Sequence, residues 1–181
     1  TSTTSGTGST VTNGATALMQ ITPGATYNLS EAAAGTTVLS QYQAALSCVN
    51  AATTNGTALP TTFPSTITLQ MGDVVTCTIT NTRKQGTVTL TKSWVNAIAG
   101  DNVSLTISGP GVNSANLGIS TAPSTTSNAT ANAVVGSVVT LTEAVQVGSA
   151  TNYTSQLVCV KNSGGAAVPV TGSGLSGTIT M

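Results

Sequence analysis

Residues 76–94 read Thr-Cys-Thr-Ile-Thr-Asn-Thr-Arg-Lys-Gln-Gly-Thr-Val-Thr-Leu-Thr-Lys-Ser-Trp, and their alternation decides the fold. With Val75 in front, the first half sets Val75, Cys77, Ile79 and Asn81 on one face and Thr76, Thr78 and Thr80 on the other. The second half sets Val88, Leu90, Lys92 and Trp94 against Thr87, Thr89, Thr91 and Ser93. Period-two patterning of this length marks half-buried strands. Between the halves, Arg83-Lys84-Gln85-Gly86 carries two of the chain's four basic residues and reads as a turn at a module junction.

Composition points the same way. Of 181 residues, 4% are charged and 3% aromatic, with Thr, Ser, Gly, Ala, Asn and Val dominating. β-Branched side chains fit a pleated surface, and no window shows apolar residues at helical spacing, so the chain is expected to be all-β. Net charge is zero and there is no His. Without a basic patch, nucleic acid is not an expected partner. No apolar run is long enough for a membrane-spanning helix, and no leader is recognised at the N-terminus. Three cysteines in a chain of this kind suggest an oxidising compartment, with one left over; three reduced core cysteines are the alternative.

The chain repeats itself. Tyr27-Asn28-Leu29-Ser30-Glu31-Ala32 returns as Val139-Thr140-Leu141-Thr142-Glu143-Ala144, an offset of 112 residues from Glu31 to Glu143. Ser65–Leu69 returns as Gly177–Met181 at 112, and Tyr42 and Cys48 return as Tyr153 and Cys159 at 111. A fixed period with anchor residues indicates tandem modules, here 1–84 and 85–181. On this register the first lacks its opening strands and the second its final strand, so neighbouring repeats or other copies are expected to supply them. Cys48 and Cys77 can pair within the first module, a bridge worth about 3–4 kcal/mol by loop-closure entropy. Cys159 is then expected to pair with a cysteine outside its own module.

Within this frame Thr1–Thr12 reads as a loop, residues 14–22 alternate weakly, and Asn55-Gly56 signals a hairpin. Strands are expected at 27–31, within 36–50, and at 65–70, 74–81, 87–95, 102–108, 129–134, 138–144, 153–160 and 175–181. Loops are expected at 112–128, with short extended pieces, and at 162–174. Short strands spaced by turn signals argue for a sandwich.

Parity places three scarce polar groups on apolar faces: Lys92, Asn81 and, at the same site in both repeats, Glu31 and Glu143. An isolated buried charge costs several kcal/mol unless paired, so these groups are expected to meet. Burial favours a neutral amine and a protonated carboxyl, and a neutral amine is a nucleophile towards a carboxamide whose carbonyl the acid polarises. A Lys–Glu ion pair with Asn beside it is the plain alternative. Trp94 reads as a core or sheet-end anchor.

Thr-Leu-Thr-Lys92-Ser-Trp94 opening a module, Leu-Thr-Glu143-Ala in a middle strand and Thr-Ile-Thr-Asn81-Thr closing one resemble the collagen-adhesin B-type repeat domains of bacterial surface proteins and pilins. These are transthyretin-like, or prealbumin-like, sandwiches with Ig-like layering. The resemblance implies that Lys and Asn at these positions can join in a spontaneous isopeptide bond assisted by the Glu. Within this chain Lys92 would need an Asn near position 193.

The sequence therefore points to a secreted or cell-surface structural module of a stalk, fibre or filament. Adjacent repeats or copies of itself are its expected partners, joined by strand complementation. The alternative is an adhesin that meets a host or matrix ligand through the 50–64 and 162–174 loops. An enzyme is not expected: Ser and Thr have no His or evident base, the four acidic residues are scattered, and neither a metal nor another cofactor has a site.

Overall fold

The computed structural model describes residues 14–52, 54–113, 116–123 and 128–181; the expected Thr1–Thr12 loop lies outside them. The chain divides into two compact units, Thr1–Thr82 and Arg83–Met181.

Unit 1 holds β1 (Thr26–Leu29), β2 (Tyr42–Asn50), β3 (Ser65–Thr68) and β4 (Val75–Arg83), which runs on into unit 2. β1 pairs antiparallel with β3, and β2 pairs with β4. A disulfide between Cys48 and Cys77 ties β2 to β4, and Ala51 N–H donates to Val74 O at 2.8 Å just beyond. Among the described hydrophobic residues of this unit only Leu46 and Ile67 are buried.

Much of the order in unit 1 comes instead from Asp73. Its Oδ1 accepts from Asn50 Nδ2 (2.7 Å) and Asn55 Nδ2 (2.8 Å), and its Oδ2 accepts from Thr57 Oγ1 (2.6 Å) and the Gln70 N–H (2.7 Å). Asn50 Oδ1 in turn takes the N–H groups of Ala52 and Val74. The donors, Thr57 and Gln70 first, hold the Asp73 carboxyl well below the usual carboxylate range.

Unit 2 is a sandwich. Its strands are β5 (Gln85–Thr91), β6 (Asn102–Ser108), β7 (Asn116–Thr121), β8 (Asn128–Val134), β9 (Val138–Val147), β10 (Cys159–Val160), β11 (Ala167–Val168), β12 (Thr171–Ser173) and β13 (Ser176–Thr180). β12-β13-β9-β6-β7 make a five-stranded sheet, while β5-β8 and β10-β11 are antiparallel pairs. The core joins Val88 and Leu90 of β5 and Ala129, Ala131 and Ala133 of β8 to Val103, Leu105 and Ile107 of β6, with Val139, Leu141 and Ile179 beside them. Every one of these sits at an inward position of an alternating strand, as period-two patterning requires.

The repeat is preserved in three dimensions. Tyr27 pairs with Ile67 in unit 1, and Val139 with Ile179 in unit 2, both members shifted by 112. Gly24 N–H donates to Leu69 O (2.8 Å), as Gly136 N–H does to Met181 O (2.7 Å). Both glycines have positive φ, 80° and 83°, which favours a residue without Cβ. Three-residue 3₁₀ turns, Leu39–Gln41 and Ala150–Asn152, precede Tyr42 and Tyr153 alike.

Several expectations need correction. Arg83–Gly86 is not a four-residue turn, because only Lys84 separates β4 from β5. Lys84 O accepts from Val135 N–H (2.9 Å), and the Arg83 guanidinium donates to Val135 O, so the junction is stitched down. Asn55-Gly56 forms no hairpin: Gly56 lacks the positive φ of a type I′ turn, and the Asn55 side chain is drawn to Asp73. The 153–160 strand shrinks to β10, although Tyr153, Ser155, Leu157 and Cys159 keep the inward parity. β11 and β12 lie within the expected 162–174 loop, whereas β7 takes the place of the short extended pieces expected in 112–128.

Two measurements test unit 1. Replacing both Cys48 and Cys77 by Ala is expected to lower its stability to urea by about 3–4 kcal/mol, because the bridge closes a loop with a sequence separation of 29. Asp73→Asn is expected to speed amide exchange at Gln70, Val74 and Ala52. Because the folded pKa of Asp73 is depressed, its stabilisation is complete above the unfolded carboxylate value and fades only as pH falls through the lower folded value. The variant is expected to lose that part of the acid dependence, read from urea melts along an acid series.

Candidate crosslinking site

β5 runs inward-outward through Val88 and Leu90, and the alternation continues past its end to Lys92 and Trp94, both half-buried. β9 brings Val139, Leu141 and then Glu143 to the same interior. The two polar groups meet there: Lys92 Nζ lies 2.7 Å from Glu143 Oε1, with side chains 13% and 16% exposed. Lys92 Nζ also sits 4.5 Å from the centre of the Trp94 ring, a cation–π contact that adds to the pair.

Trp94 is fixed in turn. Its indole N–H donates to Ser120 Oγ at 2.9 Å, and Ser120 is fully buried in β7. Tyr153 meets the indole edge-on, with ring centres 5.4 Å apart. The Tyr153 hydroxyl donates to Asp101 Oδ2 and accepts the Ile98 N–H. Bonding to Asp101 raises the Tyr153 pKa above the usual phenol range. A Cβ at Gly148 would lie 2.6 Å from the Asp101 carboxylate, so a glycine there lets the loop close over the acid. Glu143, Lys92, Trp94, Tyr153 and Asp101 thus form one chain of contacts at one end of the sandwich.

Unit 1 presents the other half of the constellation. Asn81 Nδ2 donates to Glu31 Oε1 at 2.6 Å. Here the expectation of burial fails. Both side chains are exposed, because the small core of unit 1 does not extend over them. Glu31 and Glu143 are repeat equivalents, so each unit holds a Glu with one of its two expected companions: Asn in unit 1, Lys in unit 2. Cys159, on β10, is a half-buried free thiol whose pKa burial pushes up.

The groups an amide transfer uses are divided between the units: Lys92 meets Glu143 in unit 2 and Asn81 meets Glu31 in unit 1. An amide transfer from either half would need the missing group at the same carboxyl, an Asn at Glu143 or a Lys at Glu31. Asp101, Tyr153 and Ser120 were not anticipated as supports. Tyr153 was visible as a repeat anchor, but nothing in the sequence tied it to Asp101. Among the described residues no group of three or more His, Cys, Asp or Glu could hold a metal ion.

A double-mutant cycle on Lys92→Met and Glu143→Leu is expected to give a coupling of about 1–3 kcal/mol, since the pair is in contact and half-buried. Chemical denaturation of the two single variants and the double variant measures it, and additive effects would deny the pairing.

A family model described as a prealbumin-like fold domain matches residues 1–83 and 87–181. Searches of curated proteins and of solved structures return no match. With both units covered, the chain belongs to the prealbumin-like fold domain family.

Proposed function

We propose that the chain is a structural repeat segment of a secreted or cell-surface fibre, with modules completed and locked by strands from adjacent repeats or copies. The observation that carries this is the paired half-sites. Glutamates 112 residues apart hold Asn81 in one unit and Lys92 in the other. Such pairing makes sense where one Lys, one Glu and one Asn combine in each finished module.

The covalent step is a single self-modification. Lys92 Nζ bonds to the Cγ of an Asn on an incoming β4-type strand, Glu143 relays the proton, and the amide nitrogen leaves as ammonia. The same strand would bring a cysteine to Cys159, as β4 brings Cys77 to Cys48. The disulfide suits an oxidising exterior. Among the described residues no helix is long and apolar enough to cross a membrane. The role is mechanical, with no turnover.

The test follows from the offset. Because Met181 corresponds to Leu69, appending a copy of Gln70–Arg83 after Met181 places an Asn at position 193 and a Cys at 189. Intact mass of this extended chain is expected to be lower by one ammonia, and by two further hydrogens when Cys159 is oxidised. Lys92→Arg should restore the ammonia. An unchanged mass in the extended chain refutes the crosslink.

A further inference from the structure

Asn55 is followed by Gly56, and an Asn–Gly pair has a chemistry of its own. Glycine carries no Cβ to keep its backbone nitrogen away from the preceding side chain. When the two meet, Gly56 N bonds to Asn55 Cγ, the Cγ–Nδ2 bond breaks, and Nδ2 leaves as ammonia. Water then opens the five-membered ring at one carbonyl or the other, giving Asp or isoaspartate.

The fold holds Asn55 back from this step. A carboxamide has two N–H donors, and both are committed: one to Asp73 Oδ1 at 2.8 Å, the other to Met71 O at 3.0 Å. The Asn55 backbone N–H is held as well, donating to Ala52 O at 3.2 Å. Turning Cγ towards Gly56 N means giving up both side-chain bonds, one of them to an ionised acceptor. Once the side chain is released nothing else stands in the way. Gly56 is exposed, and no heavy atom lies within 4 Å of where its Cβ would be.

We propose that Asn55-Gly56 is a modification site: the Asp73 cluster keeps Asn55 from deamidating, and deamidation, once it occurs, opens that cluster for good. The product replaces two donors by a carboxylate that has none, facing Asp73 Oδ1 and Met71 O. Among the described residues Asp73 is the titratable group in contact with Asn55, while Asn50, Thr57, Gln70 and Met71 around it carry no charge. Two carboxylates at this distance cannot both stay ionised and in contact. As they part, Asp73 loses its grip on Asn50, and Asn50 Oδ1 its grip on the Val74 N–H at the head of β4. Isoaspartate also lengthens the main chain by one methylene, so the former bonds do not re-form. Unit 1 thus carries a switch that turns one way, guarded by the carboxylate it would displace.

The test follows deamidation in the full chain at mildly alkaline pH, folded and in urea, with peptide mapping that resolves Asn, Asp and isoaspartate at position 55. The folded chain is expected to react at least about tenfold more slowly, as loss of a hydrogen bond to a charged group implies. Asp73→Ala should bring the folded rate close to the unfolded one. Asp73→Asn, which keeps an acceptor oxygen but no charge, should fall between and decides the matter if the Ala variant does not fold. Asn55→Asp supplies a second readout. It should lower amide protection at Gln70 and Val74 at neutral pH and restore part of it in acid, where a protonated carboxyl can again donate to its neighbour. Equal rates in folded and unfolded chains, or a slow rate unchanged by the Asp73 variants, overturns the guarding role. Protection at Gln70 and Val74 indifferent to Asn55→Asp overturns the switch.

Discussion

A carboxylate facing the interior of a sandwich must find a charge or a donor, and this constraint organises one end of unit 2. Glu143 follows Val139 and Leu141 on the inward side of β9 and cannot turn outward without breaking the alternation that buries them. Desolvating it alone would cost several kcal/mol. The nearest remedy is the lysine that follows β5, itself forced inward by the parity of Val88 and Leu90. Trp94, two residues on, shields that pair and is anchored on Ser120 and Tyr153. One strand position therefore decides the arrangement of the whole end of unit 2.

The rest of the fold manages almost without charge. Its sheets are held on their outer faces by hydroxyl and amide pairs across strands. Thr26 meets Thr68 (2.9 Å), Thr87 meets Asn132 (3.0 Å), and Asn102 meets Thr121 (2.8 Å). Cross-strand pairs of this kind contribute roughly 0.2–1 kcal/mol each, with little dependence on salt. Half of the four acidic residues, Asp73 and Asp101, serve as acceptors that pin loops.

The β class, the repeat and its register were legible because alternation is a direct consequence of strand geometry and the offset of 112 needs only matching letters. The Lys92–Glu143 contact was legible for the same reason, since parity put both on one face. The Glu31–Asn81 contact was also anticipated, but its exposure was not. Parity says which side of a strand a residue takes, not whether another layer covers that side. Asn55-Gly56 misled because the turn dipeptide competes with a carboxylate 18 residues away in sequence, an attraction no local pattern records. Tyr153 and Asp101 escaped for a related reason: a lone acid before a strand has no spacing that announces its partner.

β4 shows why separate staples fall on one strand. Asp73 gathers the loop just before it, Cys77 ties it to β2, and Asn81 holds Glu31 near its far end. β4 then passes through Lys84 into β5, which opens the next unit. A pull along the chain reaches unit 1 through this strand, and a two-stranded sheet offers few ladder bonds to resist it. Loop hydrogen bonds yield singly, whereas a disulfide yields only with cleavage of a covalent bond. The Asn81–Glu31 hydrogen bond holds the stretch beyond Cys77, which the disulfide leaves free to peel. The disulfide and the Asn81–Glu31 hydrogen bond thus hold different lengths of β4, and neither does the work of the other.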